Sequence, residues 1–157
     1  MKRDEASTVP APENAADFRM EEWPFYWLTR FTGRYLRQME LALKPIGLDV
    51  PRWRVLMILR TDQAQSVGEL ADHAIVKLPT MTKIVQRMQA DDLVSCRQSE
   101  LDGRVTQVTL TEAGRVAGQA AWEAANRIYR QAFEDVSPKE VATLNRLLRT
   151  ITRSMAG

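Results

Sequence analysis

The sequence has one cysteine, one histidine and no apolar run long enough to span a membrane. A single cysteine, Cys96, excludes an intrachain disulfide and suits a reducing cytosol. His73 has no second histidine with which to share a metal, so we expect neither a metal nor a cofactor. The N-terminus lacks the apolar core of a signal peptide, and we therefore expect a cytoplasmic protein without membrane contact.

The motifs of common enzyme classes are also missing. The sequence contains no glycine-rich phosphate loop and no paired metal motif, and its only histidine and only cysteine lie in separate segments. These absences argue against catalysis. The remaining function classes are binding modules and regulators.

Charge is nearly balanced overall, with 22 Lys and Arg against 20 Asp and Glu, but it is unevenly distributed. Residues 1–22 are acidic, so the rest of the chain carries a positive excess that suits phosphate. Residues 1–17 contain almost no large apolar side chain and predict a disordered arm. Residues 18–157 predict a single domain, because 45% of the chain is apolar, enough for one core.

The periodicity of apolar residues predicts a mainly α fold with a small antiparallel β-hairpin. A long amphipathic helix covers about 23–46, and Asp49 is placed to cap a second helix. Ser66 and Glu69 have the spacing of a capping box before a short third helix, and a fourth helix runs from near Pro79 to about Ala90. Two strand-like runs follow, at 93–97 and 105–110, and then two further helices. The first of these carries a stripe of small residues, Ala113, Ala117, Ala120, Ala124 and Ile128, and the second begins with a capping box at Ser137 and Glu140.

This order of elements is that of a winged helix-turn-helix, in which the second helix of the turn motif enters the major groove. On the fourth helix, apolar residues at helical spacing face inward, which leaves a polar face outward. Arginine suits guanine, glutamine suits adenine, and lysine and threonine suit phosphate, so this face is a candidate DNA-reading surface. Any solvated helix also shows a polar face. The outward set is Thr80, Thr82, Lys83, Gln86 and Arg87.

From Trp23 to Met155 the sequence resembles the MarR family of transcriptional regulators. The resemblance lies in GLDVPRWRVL (47–56), GELA (68–71), TMTKIVQRM (80–88), DGR (102–104) and LTEAG (110–114). It implies a winged helix-turn-helix at about 49–111, with dimerisation helices at about 23–46 and 111–156. It also implies a homodimeric repressor that binds a pseudo-palindromic operator in double-stranded DNA and leaves it when a small, often aromatic, effector binds.

In the family, the arginine of the wing tip enters the minor groove, and Arg104 matches that position. A narrow minor groove concentrates negative potential and attracts arginine. Asp102 would orient Arg104 or the nearby scaffold, although Asp102 followed by Gly103 is also good turn chemistry. Both interpretations of Asp102 remain open at this stage.

The family's ligand cleft points to Trp27, Arg30, Trp53 and Met57, although tryptophan and methionine at helical spacing are more often plain core. Cys96 raises the alternative of a thiol-based oxidant sensor, but a buried strand cysteine fits its position better. A second alternative is a winged helix that binds a protein partner instead of DNA.

Two features depart from the family pattern. Leu78 and Pro79 precede the fourth helix where a capping residue is common, which places phosphate contacts at the helix start in doubt. Asp91 and Asp92 replace the usual Lys/Glu-Gly pair at its end. Acidic residues at a helix C-terminus oppose the helix dipole and repel phosphate, so we expect both to lie off the DNA face and to shape the turn.

Overall fold

The computed structural model describes residues 15–61, 63–100 and 102–155. The chain divides into two compact units, Met1–Tyr35 and Leu36–Gly157. Most of the predicted arm, residues 1–14, lies outside the described residues, and Ala15–Asp17 form a 3-10 turn. The division into an arm and one domain therefore stays a prediction.

The described part of the first unit is rich in aromatic side chains. A second 3-10 turn, Met20–Glu22, leads into helix α1, Pro24–Leu43, which continues into the second unit. The rings of Phe18 and Trp23 meet edge to face with their centroids 4.6 Å apart. This segment is thus held by local aromatic contacts.

The second unit contains the remaining α-helices of the described ranges, in the predicted order. They are α2 (Val50–Leu59), α3 (Val67–Ala74), α4 (Leu78–Ala90), α5 (Glu112–Ala132) and α6 (Pro138–Ser154). The predicted caps are confirmed: Asp49 accepts from the Arg52 amide at 2.9 Å, and Ser66 and Ser137 form complete capping boxes with Glu69 and Glu140. These hydrogen bonds from serine lower the pKa of both glutamates.

A three-stranded antiparallel sheet has the order β1, β3, β2, with β1 at Gln65–Ser66, β2 at Val94–Gln98 and β3 at Thr106–Leu110. The predicted hairpin is confirmed, and Cys96 lies opposite Val108 in it. Strand β1 was not predicted, because two polar residues carry no periodic signal.

The core of the second unit lies between the helices and one face of this sheet. Its fully buried side chains include Met39, Leu43, Leu56, Leu59, Leu70, Met81, Met88 and Val108. None of the residues of helix α6 is buried. None of the helices in the described ranges is long and apolar enough to cross a membrane.

The predicted small-residue stripe of α5 is wrong at its first position and right at Ala124. Ala113 is exposed, and Ala117, Ala120 and Ile128 are half-buried. The buried positions are Gly114, Gly118, Ala121 and Ala124. The cause is a close approach: a Cβ at Gly114 would lie 1.9 Å from the carbonyl oxygen of Leu93. Only glycine permits this contact, so the helix turns glycine inward.

Candidate nucleic-acid interface

Helices α3 and α4 pack on each other through small and apolar side chains. Leu70, Ala71 and Ala74 of α3 are buried, as are Met81, Val85 and Met88 of α4. The two helices are joined by residues 75–77. This pair is a helix-turn-helix, and its packing fixes which face of α4 is left for solvent.

The outward face of α4 is the one that the sequence predicts. Thr80, Lys83, Gln86 and Arg87 are exposed, and Thr82 is half-buried. The Thr82 hydroxyl donates to the carbonyl of Leu78 at 2.9 Å, which ties that side chain to its own helix. The other four side chains form a polar strip along α4, and their contacts with bases or phosphates stay a prediction.

The start of α4 is apolar and exposed, which sequence periodicity did not indicate. Leu78 lies on the same helical spacing as Met81 and Val85, yet it is 54% exposed. The described chain covers only part of the Leu78 side chain, whereas Met81 in the same turn is fully buried. Lys77, at the N-cap, makes no side-chain capping hydrogen bond.

The tip of the β2–β3 hairpin, the wing, carries an arginine and its partner. Asp102 Oδ1 accepts from the backbone amide of Arg104 at 3.0 Å and from its Nε at 3.2 Å. These hydrogen bonds lower the pKa of the Asp102 carboxyl, and the backbone hydrogen bond has the larger effect. The Arg104 side chain is 91% exposed. Asp102 therefore accepts hydrogen bonds from both the backbone and the side chain of Arg104, and its role in orienting Arg104 on DNA stays a prediction.

The acidic pair at the end of α4 has two separate structural roles. Asp91 Oδ2 lies 3.1 Å from Arg52 Nη1 of α2. Asp92 has a left-handed backbone with φ of 56° and directs the chain into β2. The expectation that these residues shape the turn is confirmed, and their position off the DNA face stays a prediction.

The residues predicted to line a ligand cleft are split between the two units. In the first, the indole of Trp27 donates to the Glu21 carbonyl at 2.8 Å, and Arg30 lies 5.2 Å from the centre of the Tyr26 ring. In the second, Trp53 and Met57 are half-buried on α2. A shared cleft stays a prediction.

The single cysteine and the single histidine lie on different elements of the second unit. Cys96 is half-buried in β2, and desolvation raises the pKa of its thiol, which disfavours the reactive thiolate. His73 is exposed on α3. Within the described ranges, no three His, Cys, Asp or Glu residues are grouped so as to hold a metal.

Known proteins have similar sequences and a similar fold. A model of the MarR family matches residues 48–106. The HTH-type transcriptional repressor IacR of Pseudomonas putida is 45% identical over 139 residues, which are 88% of this chain and 83% of that protein. A MarR-family transcriptional regulator from Silicibacter pomeroyi has a similar structure, with a TM-score of 0.76 and 28% identity over 88% of this chain and 96% of that one.

Bordetella bronchiseptica BpsR also has this fold, with a TM-score of 0.76 and 23% identity over 86% of this chain and 96% of that one. The DNA binding of BpsR is regulated by 6-hydroxynicotinic acid. At that identity the likeness shows the fold alone. The match of sequence, fold and motif order is conclusive: the chain belongs to the MarR family of winged helix-turn-helix transcriptional regulators.

Proposed function

We propose that this protein is a cytoplasmic homodimeric repressor that binds a pseudo-palindromic operator and releases it when a small aromatic ligand binds. The observation that carries the proposal is the polar strip of α4 together with the exposed Arg104 of the wing. Both present cationic and hydrogen-bonding groups to solvent, and neither is engaged in the core.

The two features suit two different grooves. Helix α4 fits the major groove, where Arg87 pairs with guanine, Gln86 pairs with adenine, and Thr80, Thr82 and Lys83 contact phosphates or thymine. The wing reaches the adjacent minor groove, where Arg104, oriented by Asp102, sits in negative potential. Sequence is then read on α4, while the wing adds affinity.

Exposed apolar surface on α6 supports the dimer. Leu144, Leu147, Ile151 and Met155 all remain exposed in the single chain, although α6 is strongly amphipathic. A second copy related by a two-fold axis covers such a surface. Two-fold symmetry places the half-sites about one helical turn, roughly 10 bp, apart.

Release by a ligand follows from differential affinity. A ligand that binds a conformation whose α4 helices no longer match successive grooves shifts the population away from DNA. The candidate contacts are Trp27, Arg30, Trp53 and Met57, in which the arginine complements a carboxylate. The acid that regulates BpsR is aromatic, and this guides the choice of the first probe.

The test measures binding to DNA from immediately upstream of the gene across a salt series, with random duplex as control. We compare the wild type with Arg87→Ala plus Arg104→Ala, and with a matched variant, Arg146→Ala plus Arg153→Ala. The matched variant removes the same charge from exposed positions on α6.

The wild type should bind the upstream fragment with a steep salt dependence, because phosphate contacts release counterions. The first variant should lose at least about tenfold in affinity, given about 1–3 kcal/mol per base contact, and the matched variant should keep its affinity while it remains dimeric. Equal, weak binding to both duplexes would contradict the proposal and favour a protein partner. Hydroxybenzoic and hydroxynicotinic acids should then release the wild type, and an Arg30→Gln variant should respond less than an Arg34→Gln variant.

A further inference from the structure

The side chain of Thr111 joins the start of α5 to the end of α4. Its hydroxyl donates to the backbone carbonyl of Asp92 at 2.5 Å and accepts from the amide of Gly114 at 2.9 Å. The hydrogen bond from Gly114 is the N-cap of α5. Capping does not require the hydrogen bond to Asp92, which spans 19 residues of sequence. Thr111 therefore makes one contact that the start of its own helix does not explain.

Backbone contacts hold the same joint. The amide of Thr111 donates to the Leu93 carbonyl at 3.2 Å, and a Cβ at Gly114 would lie 1.9 Å from that carbonyl oxygen. The amide of Leu93 in turn donates to the Met88 carbonyl of α4 at 2.9 Å. The residues that α5 contacts at its start are thus held to the last turn of α4.

The wing begins and ends at this joint. Val94, the first residue of β2, is paired with Leu110, the last residue of β3. These two residues are the chain neighbours of Leu93 and Thr111. One joint therefore connects α4, the base of the wing and α5.

The length of α5 amplifies any change of angle at this joint. The helix has 21 residues, a length of about 31 Å, and it is followed by α6, whose exposed apolar surface supports the proposed dimer. A change of about 10° at the start of such a helix displaces its far end by about 5 Å. One base-pair step is only about 3.4 Å. The angle at the joint therefore affects whether the two α4 helices of a dimer match successive grooves.

We infer that Thr111 is a positioning residue, which fixes the angle between α4 and α5 and so determines the half-site spacing that the dimer accepts. The inference rests on the proposed function, because it concerns the placement of the same DNA-binding helix. It gives the hydroxyl donor a role separate from capping. Loss of the donor should therefore change the spacing preference even when α5 remains capped.

The variants separate the donor from the cap. Thr111→Asp keeps an N-cap acceptor but has no hydrogen to donate to the Asp92 carbonyl. Glu112→Gln is combined with it to keep the net charge at the start of α5. The controls are Glu112→Gln alone and Thr111→Ser, which keeps both hydrogen bonds. Should the double variant fail to fold, Thr111→Gly replaces it, because glycine is tolerated at an N-cap.

The full-length proteins are measured on three kinds of duplex. The first is the bound upstream fragment, the second has one base pair added or removed between the half-sites, and the third has one half-site replaced by random sequence. The change of spacing should weaken wild-type binding at least about tenfold, the cost of a lost base contact. Thr111→Ser and Glu112→Gln should keep this ratio.

In Thr111→Asp plus Glu112→Gln the ratio should fall by more than half, because a looser joint lets both α4 helices reach their half-sites. Its affinity for the single half-site should equal that of Glu112→Gln, since the contacts of α4 itself are unchanged. The inference is overturned if the double variant keeps the wild-type ratio, if its affinity for the single half-site falls as far as its affinity for the whole fragment, or if wild-type binding does not depend on spacing. Failure of the wild type to bind any duplex more tightly than random DNA would contradict the proposed function itself.

Discussion

The guanidinium of Arg52 lies 3.1 Å from the carboxylate of Asp91 and so joins the start of α2 to the end of α4. The same guanidinium lies 3.2 Å from Asp49 Oδ2 and donates to the Gly47 carbonyl at 2.9 Å. Its side chain is only 19% exposed. The recognition helix is therefore anchored at its C-terminal end to the corner that precedes α2.

Replacement of Asp91 by asparagine should lower the free energy of unfolding by about 1 kcal/mol, because a partly buried arginine loses a charged acceptor. The matched variant is Asp92→Asn, next to it in sequence. That change removes a negative charge from a helix C-terminus and places asparagine, which tolerates the left-handed region, at φ of 56°. Its stability should stay the same or rise slightly.

Both variants are compared by urea unfolding at one protein concentration, because the proposed dimerisation would make stability depend on concentration. An equal effect of the two substitutions would show that the ion pair adds nothing beyond general charge at the helix end.

Gly114 is predicted to be irreplaceable. A Cβ there would lie 1.9 Å from the Leu93 carbonyl oxygen, so Gly114→Ala must separate α5 from the chain entering β2. We expect a loss of more than about 3 kcal/mol, the range of severe core disruption. Gly118→Ala is the control, since its Cβ would meet nothing nearer than 3.9 Å. That variant should be neutral or more stable by up to about 1 kcal/mol, because alanine favours a helix. The thermal unfolding of the two variants is compared. Equal stability of Gly114→Ala and Gly118→Ala would refute the interpretation.

Helix positions and caps followed from the sequence because the signals are local. Serine and glutamate at capping-box spacing, and apolar residues repeated at helical spacing, act within one or two turns of chain. The inward and outward faces of α4 were predicted for the same reason, since Met81, Val85 and Met88 fix the helix rotation.

Features that depend on a distant segment could not be predicted from the sequence. The buried face of α5 is set by the backbone of Leu93, and β1 exists only because β3 provides hydrogen-bonding partners. Leu78 has the periodicity of a core residue but is exposed, because helical spacing alone does not show whether another element covers a residue. In each case the outcome depends on whether a segment distant in sequence makes a contact.

Ile75 has a left-handed backbone, with φ of 55°, at the C-cap of α3. A β-branched residue is strained there, and the 90% exposed side chain has little burial to offset that strain. Ile75→Gly should raise the free energy of unfolding by about 0.5–1 kcal/mol, after the greater freedom of glycine in the unfolded chain is subtracted. Ile75→Ala keeps a Cβ and should gain less. A loss of stability in the glycine variant, measured by chemical denaturation, would mean that the isoleucine side chain makes a stabilising contact in the dimer.

The wing provides a test of orientation as distinct from charge. Hydrogen bonds from Arg104 lower the pKa of Asp102, so the carboxylate stays ionised at neutral pH and holds the guanidinium. Asp102→Asn keeps an acceptor for the backbone turn but loses the charge. DNA affinity should fall by a factor of about 2–5, the modest effect of an exposed pair, with the salt dependence unchanged.

Arg104→Ala should reduce affinity further and also flatten the salt dependence by about one unit per subunit, because a cation leaves the interface. The two variants are compared in one salt titration on the same duplex. The Asp102 carboxyl is ionised above its lowered pKa. The Asp102–Arg104 pair should therefore cause no change in wild-type DNA affinity near neutral pH. Affinity should weaken only in acid, where Asp102 becomes protonated. Unchanged DNA affinity in Asp102→Asn would show that Asp102 only stabilises the turn. Arg104 would then bind the minor groove without help from Asp102.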